Sequence, residues 1–236
     1  MLSIIIPTHN EIKNNFIQKS FKLLSIIKNI EVIVVDTDST DGTKELAQKY
    51  GHKVIETDTN SRAKRLNIGI KAATGEFILL HHPRSLLDQK GIQFLVDHKE
   101  VYEWGAFTHS FNLQSPMLKF TSFYSNFIRG KRGIFYLDHC IFCSKSLLDS
   151  VGLVPEMDIF EDTALSVKLR EKATPILLPY KSVTSAIRFE KNGFWSQAIK
   201  NQILKFKFYI KSDHKRMNKN YEEGLELNSN YNKKDK

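Results

Sequence analysis

Apolar and polar positions follow two different periods along the first third of the chain. Residues 2–6 form a short apolar run closed by Pro7, the pattern of a strand buried on both faces of a parallel sheet. In 14–27, Phe16, Ile17, Phe21, Leu24 and Ile27 recur near helical spacing, which predicts a helix with one core-facing stripe. Residues 31–35, EVIVV, predict a second buried strand, and it stops at DTDSTDGT, a cluster of turn and capping residues. A helix over 43–50, a strand over 53–57, a helix over 62–73 closed by Gly75, and a strand over 76–80 (EFILL) complete the run.

Such alternation with short connections predicts right-handed βαβ units. The expected fold is therefore α/β, a mostly parallel central sheet flanked by helices. In sheets of this kind ligands bind outside the carboxyl ends of the strands. Three polar segments each follow a strand directly: PTHNE after the first, DTDSTDG after the second and HHPRS after the fourth. All three are expected on one edge.

The second half is less regular. It predicts strand and loop over 107–120, a strand-like run over 133–142, a short helix over 144–151 and a helix over 159–172. A strand over 176–178 is ended by Pro179, and a long amphipathic helix spans 193–211. From Asn218 onward the chain is rich in Asn, Lys and Glu and reads as a frayed tail. The expected organisation is one domain over 1–190, a basic amphipathic helix over 191–217 packed on that domain or on a membrane, and a flexible tail over 218–236.

Composition narrows the class. With 236 residues and 41% apolar content, the chain can bury the core of one α/β domain and is not of disordered type. Its apolar start is too short for a signal peptide and no stretch is long enough to span a bilayer, so a cytoplasmic location is expected. Cys140 and Cys143 are spaced CxxC, but they sit in a strand-like run and no second pair completes a zinc site. Two buried, reduced thiols are expected.

Charge matters through its distribution. The net charge is +9, and between Lys191 and Lys219 eight Lys or Arg stand against the single acid Asp213. On a helical wheel Trp195, Ile199, Ile203, Phe206 and Ile210 share one side, with Lys200, Lys207 and Lys211 along one border and Lys205 near the other. That pattern suits an anionic membrane surface, here the inner face of the cell membrane. It equally suits a helix packed on the domain with its lysines snorkelling. No recognition motif accompanies the basic helix, so nucleic acid is not an expected partner. PTHNE has no glycine, which excludes a dinucleotide-binding turn.

Asp36 stands at the carboxyl end of EVIVV, where a carboxylate can accept hydrogen bonds from a base or ribose. Turn formation and helix capping explain Asp41 and Gly42 but do not require Asp36.

The motifs IIIPTHNE, EVIVVDTDSTDGT, SRAKRLNIGIKAATGEFILL and FEDTALSVKLREK, in this order, resemble the family 2 glycosyltransferases. LLPYKSVTSAIRFEKNGFW resembles the ending of a small bacterial-type subgroup with a TSARR-like motif. The resemblance implies a GT-A fold, that of nucleotide-diphospho-sugar transferases. It implies transfer of a sugar, with inversion, from a nucleotide-sugar donor, UDP-linked by preference, to a glycan or lipid-linked acceptor. Residue by residue, Pro7, Thr8 and Glu11 match the first nucleotide loop, Asp36 the carboxylate that contacts the base, with Asp38 beside it. Arg62 and Asn67 match the segment facing the nucleotide, and Arg62 is a candidate for the diphosphate. Glu161 and Asp162 match the ED pair, Asp162 as general base for the acceptor hydroxyl. A helix N-terminus enriched in acids is the plainer reading of that pair. Asp138 stands where the subgroup carries an acceptor-side Asp, and a buried structural carboxylate is the equal alternative.

One motif departs. The family carries Asp-x-Asp after the fourth strand to hold Mg2+ or Mn2+. Here the segment is His81-His82-Pro83-Arg84, and Pro83 has no ligating side chain. Three readings follow: a metal-independent transferase in which Arg84 replaces the ion, a transferase with Mn2+ or Mg2+ held weakly through His81 and His82, and a catalytically inactive nucleotide-binding relative.

Overall fold

The computed structural model of the chain describes residues 1–13, 15–210 and 213–222. Its first half follows the predicted alternation: β1 (Leu2–Thr8), α1 (Asn15–Leu24), β2 (Ile30–Thr37), α2 (Thr43–Lys49), β3 (Lys53–Thr57), α3 (Arg62–Ala72) and β4 (Phe77–Leu80). β1 pairs in parallel with β2 and β4, and β2 with β3. Every residue of β1 is buried, because helices cover both faces. Ile4 and Ile6 meet Ile17, Phe21 and Leu24 on one side. Ile5, Ile33 and Val35 meet Ala63, Leu66 and Ile70 of α3 on the other. The contact with α3 depends on Gly69, where a Cβ would fall 2.3 Å from Ile5 Cγ2.

The second half comprises β5 (Ser85–Leu87), α4 (Gln89–His98), β6 (Trp104–Phe111), α5 (Pro116–Phe123), β7 (Ile141–Ser144), α6 (Lys145–Ser150), α7 (Glu161–Arg170), β8 (Ile176–Thr184), α8 (Ile187–Asn192), α9 (Phe194–Tyr209) and α10 (His214–Glu222). The eight strands form one sheet in the order β3-β2-β1-β4-β7-β6-β8-β5. β7 runs antiparallel to both β4 and β6, while β8 is parallel to β6 and antiparallel to β5. The sheet is thus wholly parallel across β3 to β4 and mixed beyond.

The second half also holds the departures from expectation. The strand predicted over 133–142 is replaced by a 3-10 turn, Leu137–His139, and only Ile141–Ser144 is extended. Positive φ at Gly133 (66°) and Cys140 (55°) breaks the run, while burial of Phe135 and Leu137 explains its apolar composition. Residues 107–120 divide into β6 and α5, the latter opened by Pro116 at its first turn and continuing as a π-helical segment, Tyr124–Arg129. Pro179 does not end β8. The register with β6 jumps from Phe107–Leu178 to Thr108–Lys181, so a bulge absorbs the residue that lacks an N–H. α4 has no counterpart in the sequence reading; Asp88 caps it by accepting from Lys90 N.

The expected boundary at 217 falls inside α10, where Met217 is buried with Ile159 and Leu204, and Arg188 lies 4.1 Å over the ring of Tyr221. Asn14, Lys211 and the rest of the expected tail lie outside the described residues. Cys140 and Cys143 are free and buried in the cores on opposite faces of the sheet. Burial raises both thiol pKa values, that of Cys140 to about 12. No described helix is long and apolar enough to cross a membrane.

Candidate active site

The loops after β1, β2 and β4 meet at the carboxyl edge of the parallel half, as their positions after strands predict. The β1 and β2 loops are sewn together by side chains. Asn10 N donates to Ser39 Oγ (2.8 Å), Glu11 N to Thr43 Oγ1 (2.9 Å), Ile12 N to Asp41 Oδ2 (2.8 Å) and Thr40 N to Asn10 Oδ1 (2.9 Å). Pro7 lies within β1, opposite Val35.

Asp36 sits at the centre of this stitching. It is fully buried and accepts from Thr8 Oγ1 (2.6 Å), Ser39 Oγ (2.6 Å) and Ser39 N (3.0 Å). Its carboxylate faces the two loops and holds them together. Asp38, two residues on, is exposed with φ 44° at the turn. Asn67 is likewise turned inward, donating to Val154 O (2.9 Å) and accepting from Val154 N (3.0 Å). It clamps α3 to the loop before α7.

After β4 the side chains again pair with one another. Arg84 grips Glu11 through Nε (3.0 Å) and Nη2 (3.1 Å), in a pair almost buried on both sides. His81 is buried, its Nδ1 has no hydrogen-bond partner among the described residues, and burial lowers its pKa to about 4. Burial likewise drives His82 to about 3. His82 Nδ1 accepts from Arg84 N (3.2 Å), which assigns the proton to Nε2, 3.6 Å from Asp138 Oδ1. At neutral pH this contact joins an acceptor to a neutral imidazole. The side chain of Asp138 is 43% exposed, so it faces outward rather than serving as a buried structural carboxylate.

The ED pair opens α7 behind Phe160, whose φ of 63° turns the chain into the helix. Glu161 Oε1 accepts a short hydrogen bond from Arg62 Nε, and Glu161 Oε2 has no partner among the described residues. Asp162 Oδ2 accepts from Leu137 N (2.9 Å) and lies 3.8 Å from Arg62 Nη2, while Oδ1 accepts from Thr163 N (2.6 Å). Burial and the neighbouring Glu161 raise the Asp162 pKa to about 6, against Arg62 and the two amides. Burial works against the Arg62 charge, but both carboxylates outweigh it and raise its pKa. The Arg62 side chain remains 36% exposed at the N-terminus of α3.

Several functional-looking groups were not legible beforehand. Arg65, one turn beyond Arg62, is buried and donates to Thr8 O (2.6 Å), fixing the end of β1. Helical spacing of the two arginines in SRAKR was the available signal. Tyr136 is hydrogen-bonded to Arg129, which also lies 4.1 Å over its ring. His139 is enclosed between Ser125 Oγ (2.8 Å) and Phe107 O (3.1 Å), and burial lowers its pKa to about 3. Nothing in sequence spacing links these residues.

The donor set does not fit a Mg2+ or Mn2+ ion of the kind the family implies. Such ions require several oxygen ligands. The segment supplies a buried imidazole, a second imidazole and a proline. Among the described residues no group of three His, Cys, Asp or Glu is placed to hold a metal ion.

Comparison with known proteins identifies the family and the fold. Residues 3–150 match the family model described as "Glycosyl transferase family 2". An uncharacterized glycosyltransferase of Rickettsia typhi is 32% identical over 111 residues, covering 43% of this chain and 34% of its own length. The poly(ribitol-phosphate) beta-N-acetylglucosaminyltransferase TarS of Staphylococcus aureus is 34% identical over 89 residues, covering 33% of this chain and 15% of its own. The chain therefore aligns with a third or less of these relatives. The crystal structure of TarS residues 1–349 in complex with UDP-GlcNAc superposes with TM-score 0.62 and 22% identity, over 78% of this chain and 58% of that one. The mannosyltransferase PcManGT of Pyrobaculum calidifontis, in complex with GDP-Man and Mn2+, superposes with TM-score 0.58 and 21% identity, over 77% and 56%.

Proposed function

The chain belongs to glycosyl transferase family 2 and has its GT-A fold, and from that premise we propose that it moves a sugar from a nucleoside diphosphate donor to an acceptor hydroxyl without a protein-held metal ion. The observation that carries this reading is the Arg62–Glu161–Asp162 cluster at the carboxyl edge. It joins an accessible guanidinium to a buried carboxylate of raised pKa.

In this reading the nucleoside lies over the stitched β1 and β2 loops, within reach of Asp38. Arg62 meets the diphosphate. A guanidinium has five N–H donors, so Glu161 can hold it through Nε while others turn to phosphate oxygens. The N-terminus of α3 adds backbone amides of the same polarity. Arg84, locked to Glu11, braces the loop. Asp162 takes the proton from the acceptor hydroxyl as that oxygen attacks the anomeric carbon and the diphosphate leaves, which inverts that centre. Leu137 N and Thr163 N keep the carboxylate aimed. TarS with bound UDP-GlcNAc favours a UDP-sugar, and a glycan or lipid-linked hydroxyl is the acceptor.

His81-His82-Pro83 specifically favours a second reading, a nucleotide-binding module without turnover. Calorimetric titration with UDP and GDP, each in EDTA, Mg2+ and Mn2+, tests both. Micromolar binding that survives EDTA, followed by sugar transfer or donor hydrolysis, is the expected result. Binding without turnover selects the inactive module, and binding only with Mn2+ overturns metal independence.

A further inference from the structure

Eleven of the fourteen large apolar residues exposed among the described residues lie on two adjoining segments, α5 with its π-helical extension and α9 with its C-cap Ile210. On the first, Phe120, Phe123, Tyr124, Phe127 and Ile128 recur at three- and four-residue spacing and form one outward stripe. On the second, Trp195, Ile199, Ile203, Phe206 and Ile210 do the same; Trp195 is 74% and Phe206 66% exposed.

The opposite faces of both helices are already used. Leu118 and Met117 of α5 pack with Phe189 of α8 and with Phe194 and Ala198 of α9. Leu204 of α9 is buried against Ile159 and Met217. The segments approach each other again where Lys205 Nζ lies 5.8 Å from the Tyr136 ring that Arg129 also covers. Each helix thus has its core contact and carries a second apolar face that folding does not bury.

Charge selects the occupant. Residues 116–132 carry Lys119, Arg129, Lys131 and Arg132 and no acid, and α9 carries Lys200, Lys205 and Lys207 and no acid. On α9 a groove of about 470 Å³ is lined by Ile199 and Ile203 together with Lys200 and Lys207. A second copy meeting this face about a two-fold axis would set cations against cations. Residues 223–236 supply only Leu225, Leu227 and Tyr231 as large apolar groups, too few to cover both stripes. An acyl boundary beneath negative headgroups answers both features.

We propose that this two-helix face seats the protein on an anionic lipid bilayer, aromatic and aliphatic side chains in the acyl boundary and lysines at the level of the phosphates. The proposal does not depend on the transferase reading. It sets the start of α7 beside the lipid, because Leu204 packs on Ile159, two residues before Glu161.

Co-sedimentation of the full chain with vesicles tests it, using equal parts phosphatidylglycerol and phosphatidylcholine against phosphatidylcholine alone. Binding to the anionic vesicles, weak binding to the neutral ones and release by high salt are expected. The pairs Ile199→Ser with Phe206→Ser, and Phe123→Ser with Phe127→Ser, change exposed positions, so thermal melting stays near wild type. Each pair lowers partitioning by at least about tenfold. Lys200→Gln with Lys207→Gln lowers it by roughly tenfold on anionic vesicles only. No partitioning of the wild type, or equal partitioning of all variants, overturns the proposal. A dimer in sedimentation velocity that Ile199→Ser with Phe206→Ser disperses also overturns it and assigns the face to a second copy.

Discussion

The parallel half of the sheet and the mixed half treat their polar residues in different ways. Around β1 to β4, Asp36, Asn67, Glu11 and Arg84 are each consumed by a neighbour on the protein. Around α7 and the turn before β7, Asp162 is buried with a raised pKa and His139 with a lowered one, and after β4 burial lowers His81 and His82 in the same way. Positive φ outside glycine occurs in both halves, at Asn10, Asn29 and Asp38 in the first and at Cys140, Leu153 and Phe160 in the second, while the π-helical segment after α5 lies in the second alone. In the proposed reading the parallel half carries the nucleoside and, through Arg62, the diphosphate, while the mixed half supplies Asp162 and the lipid-facing helices.

Substitutions that act on one half alone sharpen this contrast. The largest effect is expected from Asp162→Asn, which keeps the shape and removes the base. Turnover falls by about a thousandfold while calorimetric donor affinity stays within about twofold. In the wild type, kcat/KM rises as Asp162 deprotonates near pH 6. Unchanged turnover in the variant would show that the base lies elsewhere.

Asn67→Ala acts on the parallel half. It leaves Val154 N and O without partners in a buried place, at about 2 kcal/mol of stability. Melting falls by several degrees and the Kd for the nucleotide changes little. A large loss of affinity with unchanged melting would reverse the assignment and make Asn67 a ligand contact.

The smallest effect per group is acid sensitivity. His81, His82 and His139 have folded pKa values of about 4, 3 and 3, below the unfolded value. The unfolded chain therefore binds more protons, and stability is lost as pH falls below about 6.5 toward 4. Between pH 7 and 6 each imidazole costs under about 1 kcal/mol. Asp162, with a raised pKa, opposes one of them in the window from about 6 down to its unfolded value. Denaturant midpoints measured across this range should fall with acid; a flat profile would mean that these imidazoles are solvated.

Legibility followed periodicity. β1 to β4 and α1 to α3 were visible because parallel strands buried on both faces are continuous apolar runs and the helices between them carry one stripe. The convergence of PTHNE, DTDSTDG and HHPRS follows from the same topology. The sequence was silent on the 3-10 turn at Leu137–His139, since a buried irregular segment has the composition of a strand. It misread Pro179 as an end because a bulge depends on the neighbouring strand. The stripe on α9 was visible, but not that its apolar side faces outward, nor that α5 adds a second.

By itself the sequence determined the α/β alternation, the edge on which the three polar loops meet, the ED pair and the absence of any carboxylate from HHPRS. These depend on residue type and local period, which the chain carries in linear order. Tertiary structure alone decided what surrounds each carboxylate. Asp36 and Asp162 look alike in sequence and each accepts three hydrogen bonds, yet Asp162 also lies against Glu161 and Arg62, and burial with Glu161 raises its pKa to about 6. The reason is that desolvation and hydrogen bonding are set by neighbours distant in the chain, and no local pattern encodes them.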